Sequence, residues 1–539
     1  MADKIQTQKI ICKGGLHTSN NNLLLSDELP GSASRLINYE VSLAGGYRRI
    51  NGFSKFDVTY YNVDDAAAEG PILGLAMYRT NAGSTEYLAA RKQQSGTTYN
   101  WYKFQSGVGW VAQTTGLTLN TTTTGVTLNR IRSTKFNFGT GNQIVFADGV
   151  NNATIYDGTT WYHIDPADTG ADLAHSGGAT AIAAPSFVEV YENHLFMGGS
   201  YASPNTIAHS GPRLSYTWTS AAGGGQIIAD QEIIMIKPFR ETNYLFAEDA
   251  IQKVTVDSSG TFVLDSVTNN IGCLAADSIV EIGGDLLFLS PDGFRPVAGT
   301  AKIGDIEIES VSKDIQLLTT AIIKETDLTT MNAVVLRTKS QVRFFYGGTN
   351  GDGLIAGLRT GDGGVDWEWG QLKGIESNIA ISDFVSGKEI VLHGDTSGNI
   401  FIQESGNSFN GEDILGVYSP PFLDQSDTEV RKRYRTLSVF TRPEGDFTLN
   451  LALDFDWGSA DSPPPSDYAA TSEGIPAIYG GLGVVYGGVS TYGGAGSPVL
   501  RYDIEGEAFS IRPSFVSLGT EAPHSIQGFV MTITPLGRI

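Results

Sequence analysis

Arg130–Ile164 reads RIRSTKFNFGTGNQIVFADGVNNATIYDGTTWYHI. An alternating run, STKFNF, is followed by a very apolar one, QIVFA, and then by the aromatic-rich runs ATIY and WYHI. Asp148-Gly149 and Asp157-Gly158 punctuate them. A two-residue period broken at Asp-Gly predicts short antiparallel strands joined by tight turns, because glycine supplies the positive φ that such turns need. The layout is an outer half-buried strand, a very apolar strand, an Asp-Gly turn and an aromatic strand.

The same layout recurs on both sides. ILGLAMYRT, EYLAARKQ and NWYKFQSGVGWV precede it, ending at Trp110. FVEVYENHLFMGG with RLSYTWTS follows, around Trp218, and then EIIMIKPFRETNYLFAEDAIQKVTVD. ADSIVEIGGDLLFLSPDGFRPVAG carries a third such turn, Asp292-Gly293. NAVVLRTKSQVRFFYGG with GLIAGLRT and DWEWGQL is the sixth unit, and NIAISDFVSGKEIVLHGDTSGNIFIQE is the seventh, cut slightly short. A spacing of roughly 35–60 residues is that of propeller blades. One blade cannot bury both of its faces, so blades must stack around an axis. The expectation is a mainly β protein with an irregular β-propeller of about five to seven blades over 66–412. One or two long β-sandwiches are the competing architecture. Residues 311–333 interrupt the pattern. Ser312-Lys313-Asp314 opens a short helix there, with Ile315, Leu318 and Ile322 on one face, inserted between blades.

The style changes after about residue 412. YRTLSVFTRPEGDFTLNLALDFDW reads as two long strands, and AFSIRPSFVSLGTEAPHSIQGFVMTITPLGRI as two more joined by a loop. Between them lie three Tyr-Gly-Gly copies at Tyr479, Tyr486 and Tyr492, within a loop over 474–497. Residues 413–539 are therefore expected to form a β-sandwich-like domain. Residues 1–65 form an N-terminal platform segment packing with it. The three tyrosines are partner-loop candidates, since tyrosine gives large contact area at low entropic cost.

Composition bounds the function. The chain has 539 residues, 41% hydrophobic and 17% charged, which is globular and not disordered. Its net charge of −22 excludes a protein that wraps DNA non-specifically on a basic surface. An acidic wall can still let DNA slide without sticking. Cys12 and Cys273 are far apart and read as free buried thiols. The start, MADKIQTQKI, lacks a signal-peptide layout, and no apolar run spans a bilayer, so folding in a cytoplasm is expected. The seven histidines make no HxH or HExxH pair, and no phosphate-binding GxxxxGK[ST], GxSxG elbow or DxDxDG loop is present. No cofactor or metal is expected, and no catalytic residue can be nominated. TGDGGVDW, Thr360–Trp367, resembles the Asp-box turn of sialidase-like propellers, a structural device. Plentiful carboxylates leave a glycosidase acid–base pair open.

LSDELPGSASRLINYEV with GGYRRINGF resembles the N-terminal block of tail nozzle proteins of short-tailed bacteriophages, the group that includes packaged-DNA stabilization and tail tubular proteins. The matching features are Pro30-Gly31, Ala33 to Asn38, Gly45-Gly46, Arg48-Arg49 and Gly52-Phe53. DLLFLSPDGFRPV, KRYRTLSVFT, LDFDW, SIQGFVMTITPLGRI and the Tyr-Gly-Gly copies resemble further elements of that group, in the same order. The resemblance implies a non-enzymatic virion protein, assembled in the host cytoplasm into a homo-hexameric ring below the portal–adaptor complex. That ring would retain packaged DNA, conduct it without sequence-specific binding, and carry a fibre, spike or needle. Arg35, Arg48, Arg49, Arg431, Lys432 and Arg433 are the adaptor- or subunit-interface candidates. For Arg48 and Arg49 a second reading stays open: they flank a strand and shield its edge. The alternative function is a glycan-degrading or glycan-binding propeller tail protein.

Overall fold

The computed structural model describes residues 5–42, 45–57, 70–93, 96–139, 141–166, 174–176, 181–297, 310–347, 350–361, 364–425, 427–456, 468–472 and 498–538. Among these, seven mainly antiparallel sheets follow one another between Ile72 and Gln403. The first is Ile72–Arg79, Thr85–Lys92, Tyr99–Gln105 and Gly109–Ala112. The second is the quoted stretch: Arg132–Asn137, Asn142–Ala147, Thr154–Tyr156 and Trp161–Asp165, with Ala174–Ser176 added in parallel. The third (from Phe187–Tyr191) and fourth (from Met235–Phe239) have four strands each, and the fifth (from Val280–Ile282) has three. The sixth begins with Asn332–Leu336 and the seventh with Ile379–Val385.

The sheets close a ring. The first strands of sheets one and two touch, as do those of two and three, three and four, five and six, six and seven, and seven and one. Sheets four and five share an apolar core in which Phe246 and Phe288 pack 5.3 Å apart. Similar cores fill the other gaps. Trp101 and Trp161 stack at 5.3 Å between sheets one and two, and Ile72, Leu75, Leu392 and Ile400 join sheets seven and one. Each sheet thus buries both faces against neighbours, the arrangement of propeller blades. Gly149, Gly158 and Gly293 all adopt positive φ, at 78°, 102° and 123°, as the Asp-Gly turns require.

Three sequence expectations need correction. The first strand of each unit is the innermost one and not the outer one, because it is the first strands that touch from sheet to sheet around the ring. RLSYTWTS is not a strand; the third sheet uses Ser203–His209 and Gly225–Ile228, while Trp218 is buried in the loop between them. The seventh sheet is not cut short, since Phe53–Lys55 pairs with Ile400–Gln403 as its fourth strand. A strand from the chain's start thereby closes the ring. The expected helix lies between sheets five and six as Gln316–Glu325, after a 3-10 turn at Lys313–Ile315. Ile315 and Ile322 are buried and Leu318 packs on the same core.

The C-terminal strands form two further layers. One sheet pairs His524–Arg538 with Val430–Pro443, Tyr47–Arg49 and Gln6–Ile11, and extends to Tyr39–Val41 and Val499–Ala508. The other layer is not separate from the propeller. Arg35–Ile37 pairs with Gly364–Leu372 of the sixth sheet on one side and Ile414–Ser419 on the other. Ile511–Gly519, Phe447–Phe455 and Tyr468–Ser472 then complete one nine-stranded sheet. Tyr39, Tyr47, Leu437, Leu451, Phe515 and Phe529 belong to the core these layers share. The first 50 residues therefore supply strands to both layers.

Candidate functional site

Two clusters of charge stand out in the fold: one joins the inner strands of the ring, one lies where the ring meets the sandwich. The first is built by the RIR that opens the quoted stretch. Arg130 and Arg132 are two residues apart at the entry to an extended strand, so both side chains project to one side. Both grip Asp277, which precedes the fifth sheet, at 2.5 Å from Arg130 Nη1 and 2.8 Å from Arg132 Nε. Arg130 also donates to the carbonyls of Thr330, Met331 and Asn378, at 2.9, 2.8 and 2.9 Å. One buried guanidinium thus ties sheets two, five, six and seven. Burial alone would push the Asp277 carboxyl up; the two guanidiniums overcome it and hold the group well below the usual carboxylate range.

Two further ion pairs join the first strands of the sheets. Glu189 Oε1 lies 2.5 Å from Lys237 Nζ, bridging sheets three and four. Asp383 pairs with Lys135, bridging seven and two. A carboxyl held ionised by a cation cannot protonate a leaving group, so Asp277 is a clamp and not a general acid. Beside the Lys135–Asp383 pair, a cavity of about 270 Å³ opens among sheets one, two and seven. Arg79, Phe136, Asn137, Asn142, Gln143 and Phe384 line it.

The second cluster answers why two arginines stand near the chain's start. Arg48 makes a two-pronged contact to Glu444, both bonds at 2.6 Å, and reaches Glu40 at 2.8 Å and Asn51 at 2.8 Å. Glu40 is 3% exposed and also accepts from Lys339 at 2.7 Å and from Gln341 at 3.1 Å. Arg343, fully buried, bridges Glu40 and Glu404. Burial opposes the Glu404 charge, yet Arg343 and Lys339 bring its carboxyl down to about 2. The network joins the sandwich (Glu40, Arg48, Glu444) to sheet six (Lys339, Arg343) and sheet seven (Glu404).

The predicted interface residues separate accordingly. Arg49 is 1% exposed and donates to the carbonyls of Gly519, Ile414 and Glu521, so it works inside the subunit in place of the expected partner contact. Lys432 is likewise buried, bonded to the carbonyls of Asp427 and Phe509 at 2.5 and 2.9 Å. Both correct the interface expectation for the same reason: strand alternation turns them inward, where backbone carbonyls need donors. Arg48 is engaged within the subunit, and Arg35 is half-buried on its strand. Arg431 and Arg433 stand exposed on the sandwich's outer face, Arg433 paired with Glu507 at 2.7 Å. Arg435 beside them was missed, although the same alternation points to it. Tyr479, Tyr486 and Tyr492 lie outside the described residues. The hub of Arg130, Arg132 and Asp277 was also missed: RIR was legible, but its carboxylate partner is 145 residues away from Arg132. Cys12 and Cys273 are buried free thiols, each pushed up to about 12 by desolvation.

No protein-family model and no curated protein sequence matches the chain. Among solved structures it is similar to an exo-β-1,3-galactanase from Phanerochaete chrysosporium, with β-1,3-galactotriose, at 9% identity and a TM-score of 0.24, covering 86% of this chain and 99% of that one. It is also similar to the extracellular domain of a putative hybrid two-component system, BT3049, from B. thetaiotaomicron, at 10% identity and a TM-score of 0.33, covering 65% of this chain and 41% of that one. At such scores the description of the fold rests on the sheet topology above.

Proposed function

We propose that the chain is a structural virion protein, a tail nozzle subunit of a short-tailed bacteriophage. In this reading it is a seven-bladed propeller fused through a shared sheet to a β-sandwich platform. Six copies form a ring below the portal–adaptor, retain packaged DNA, conduct it at ejection, and seat a fibre, spike or needle. The protein is assembled in the host cytoplasm and resides in the virion tail. The observation that carries this reading is the use made of the resembling block, Pro30–Phe53. That block supplies strands to both sandwich layers, a buried anchor in Arg49 and the network residues Glu40 and Arg48, and it runs into the strand that closes the ring. The motifs that carry the resemblance are thus the ones that fix ring and platform in a set orientation, as a load-transmitting subunit needs. The test is a virion lacking the protein, together with a reconstruction of the intact tail. Packaging followed by DNA leakage, with six copies at this level, is the expected result. Retained DNA, or three or twelve copies, overturns the reading.

A second reading, a propeller that binds or degrades glycans, is favoured by one observation. The cavity beside Lys135 and Asp383 combines aromatic rings with side-chain amides, the pairing that recognises a sugar's faces and hydroxyls. Its described lining holds one carboxylate, Asp383, where hydrolysis takes a pair, which favours binding over hydrolysis within it.

A further inference from the structure

We propose that this cavity binds an acidic saccharide through Arg79 and Phe384; the inference rests on the glycan-binding reading. Three observations converge. First, the charge balance of the wall is positive in a chain whose net charge is −22. Lys135 and Asp383 neutralise one another, while the exposed guanidinium of Arg79 makes no ion pair among the described residues. A free planar guanidinium at a cavity mouth suits a carboxylate, which it can hold with two parallel bonds.

Second, Phe384 is 47% exposed at the same wall, on an innermost strand where a large apolar ring has no packing reason to face water. A flat ring beside hydrogen-bonding groups offers a stacking face for a pyranose. Third, a side-chain amide stands exposed at the same wall, on Asn137. Asn137, whose Oδ1 is taken by the Gly139 amide, keeps its Nδ2 hydrogens for a ligand oxygen. At about 270 Å³ the space is just below the range of drug-sized sites and takes a ligand of about one sugar ring.

The experiment is saturation-transfer NMR and calorimetry on the intact protein. The probes are the methyl glycosides of glucuronic, galacturonic and N-acetylneuraminic acid, with methyl glucoside and methyl galactoside as neutral parents. At least one acidic probe should bind with a Kd on the order of 1 mM, about tenfold or more tighter than its neutral parent. Arg79→Gln should erase that preference and Arg79→Lys restore part of it, while Phe384→Ala weakens acidic and neutral sugars alike. Both positions are exposed, so folding is not at stake. Equal binding of acidic and neutral sugars overturns the inference and leaves the glycan-binding reading standing. Acidic binding that survives Arg79→Gln unchanged also overturns it. No binding by any probe overturns both.

Discussion

Acidification from about pH 7.5 to about pH 5.0 should weaken the fold through buried neutral histidines, and His393 can be isolated from the others. It lies in the strand Lys388–Gly394, fully buried, edge-on to Phe53 at 4.9 Å and stacked on Phe401 at 5.0 Å. Neither ring nitrogen has a partner among the described residues. Burial, reinforced by the nearby Arg343 charge, pushes its imidazole down to about 3. In the unfolded chain the ring titrates near 6.5. The unfolded state therefore binds the extra proton first, so the stabilisation is fully present above about pH 6.5 and is lost as pH falls toward 3. At pH 5.0 the unfolded side is favoured by about 2 kcal/mol per such histidine, which is 1.5 pH units at about 1.36 kcal/mol each. His524, also pushed down to about 3 by burial, adds a similar amount. Carboxyls that burial pushes up, such as Glu368 and Asp395, act in the opposite direction on acidification. Comparing wild type with His393→Phe cancels them. Urea unfolding of both proteins across the pH range is the assay. The stability difference should move by about 2 kcal/mol in favour of the phenylalanine variant between the two pH values. A difference that stays flat with pH would refute the buried, neutral, unpartnered histidine.

Other perturbations test the two charge clusters and the turns. Arg130→Met leaves three carbonyls and half of Asp277 unpartnered and should cost about 3–5 kcal/mol in thermal or urea unfolding, whereas Lys135→Met, at an exposed pair, should cost about 1 kcal/mol or less. Arg343→Met removes the buried cation shared by Glu40 and Glu404, both of which keep Lys339, and should cost about 1–3 kcal/mol, with calorimetry separating into two transitions as ring and sandwich uncouple. Gly46→Ala would set a Cβ 2.1 Å from the Ile526 carbonyl oxygen at a φ of +79°, so a loss of about 2 kcal/mol or more in the same assay is expected. Cys12 and Cys273 should resist alkylation in the native protein and react only on unfolding; rapid labelling of the native protein would contradict their burial.

Strand content and the recurring unit were legible in the sequence because they depend on near neighbours. Alternation, apolar runs and Asp-Gly turns act within about ten residues, and the turn glycines at 149, 158 and 293 adopt the φ that local chemistry demands. The short helix at Gln316–Glu325 was legible for the same reason. What lay beyond reach was which strand sits innermost, since alternation marks a half-buried strand without saying which distant strands pack against it.

The arginines show the same division. Their number and place in RIR and YRR are facts of sequence. Their roles are not: Arg48 meets Glu444 across 396 positions and Arg132 meets Asp277 across 145. A charge's role is decided by which opposite charge or bare carbonyl lies within a few ångströms once the chain is folded, and no local pattern encodes that distance. By itself the sequence determined the strands, the turns and a fold of stacked β units. Only the tertiary structure decided that strand Phe53–Lys55 closes the ring, that Arg49 serves its own subunit, and that Arg79 is left facing an open cavity. Each of these follows from pairing between residues distant in the chain, which strand propensity does not specify.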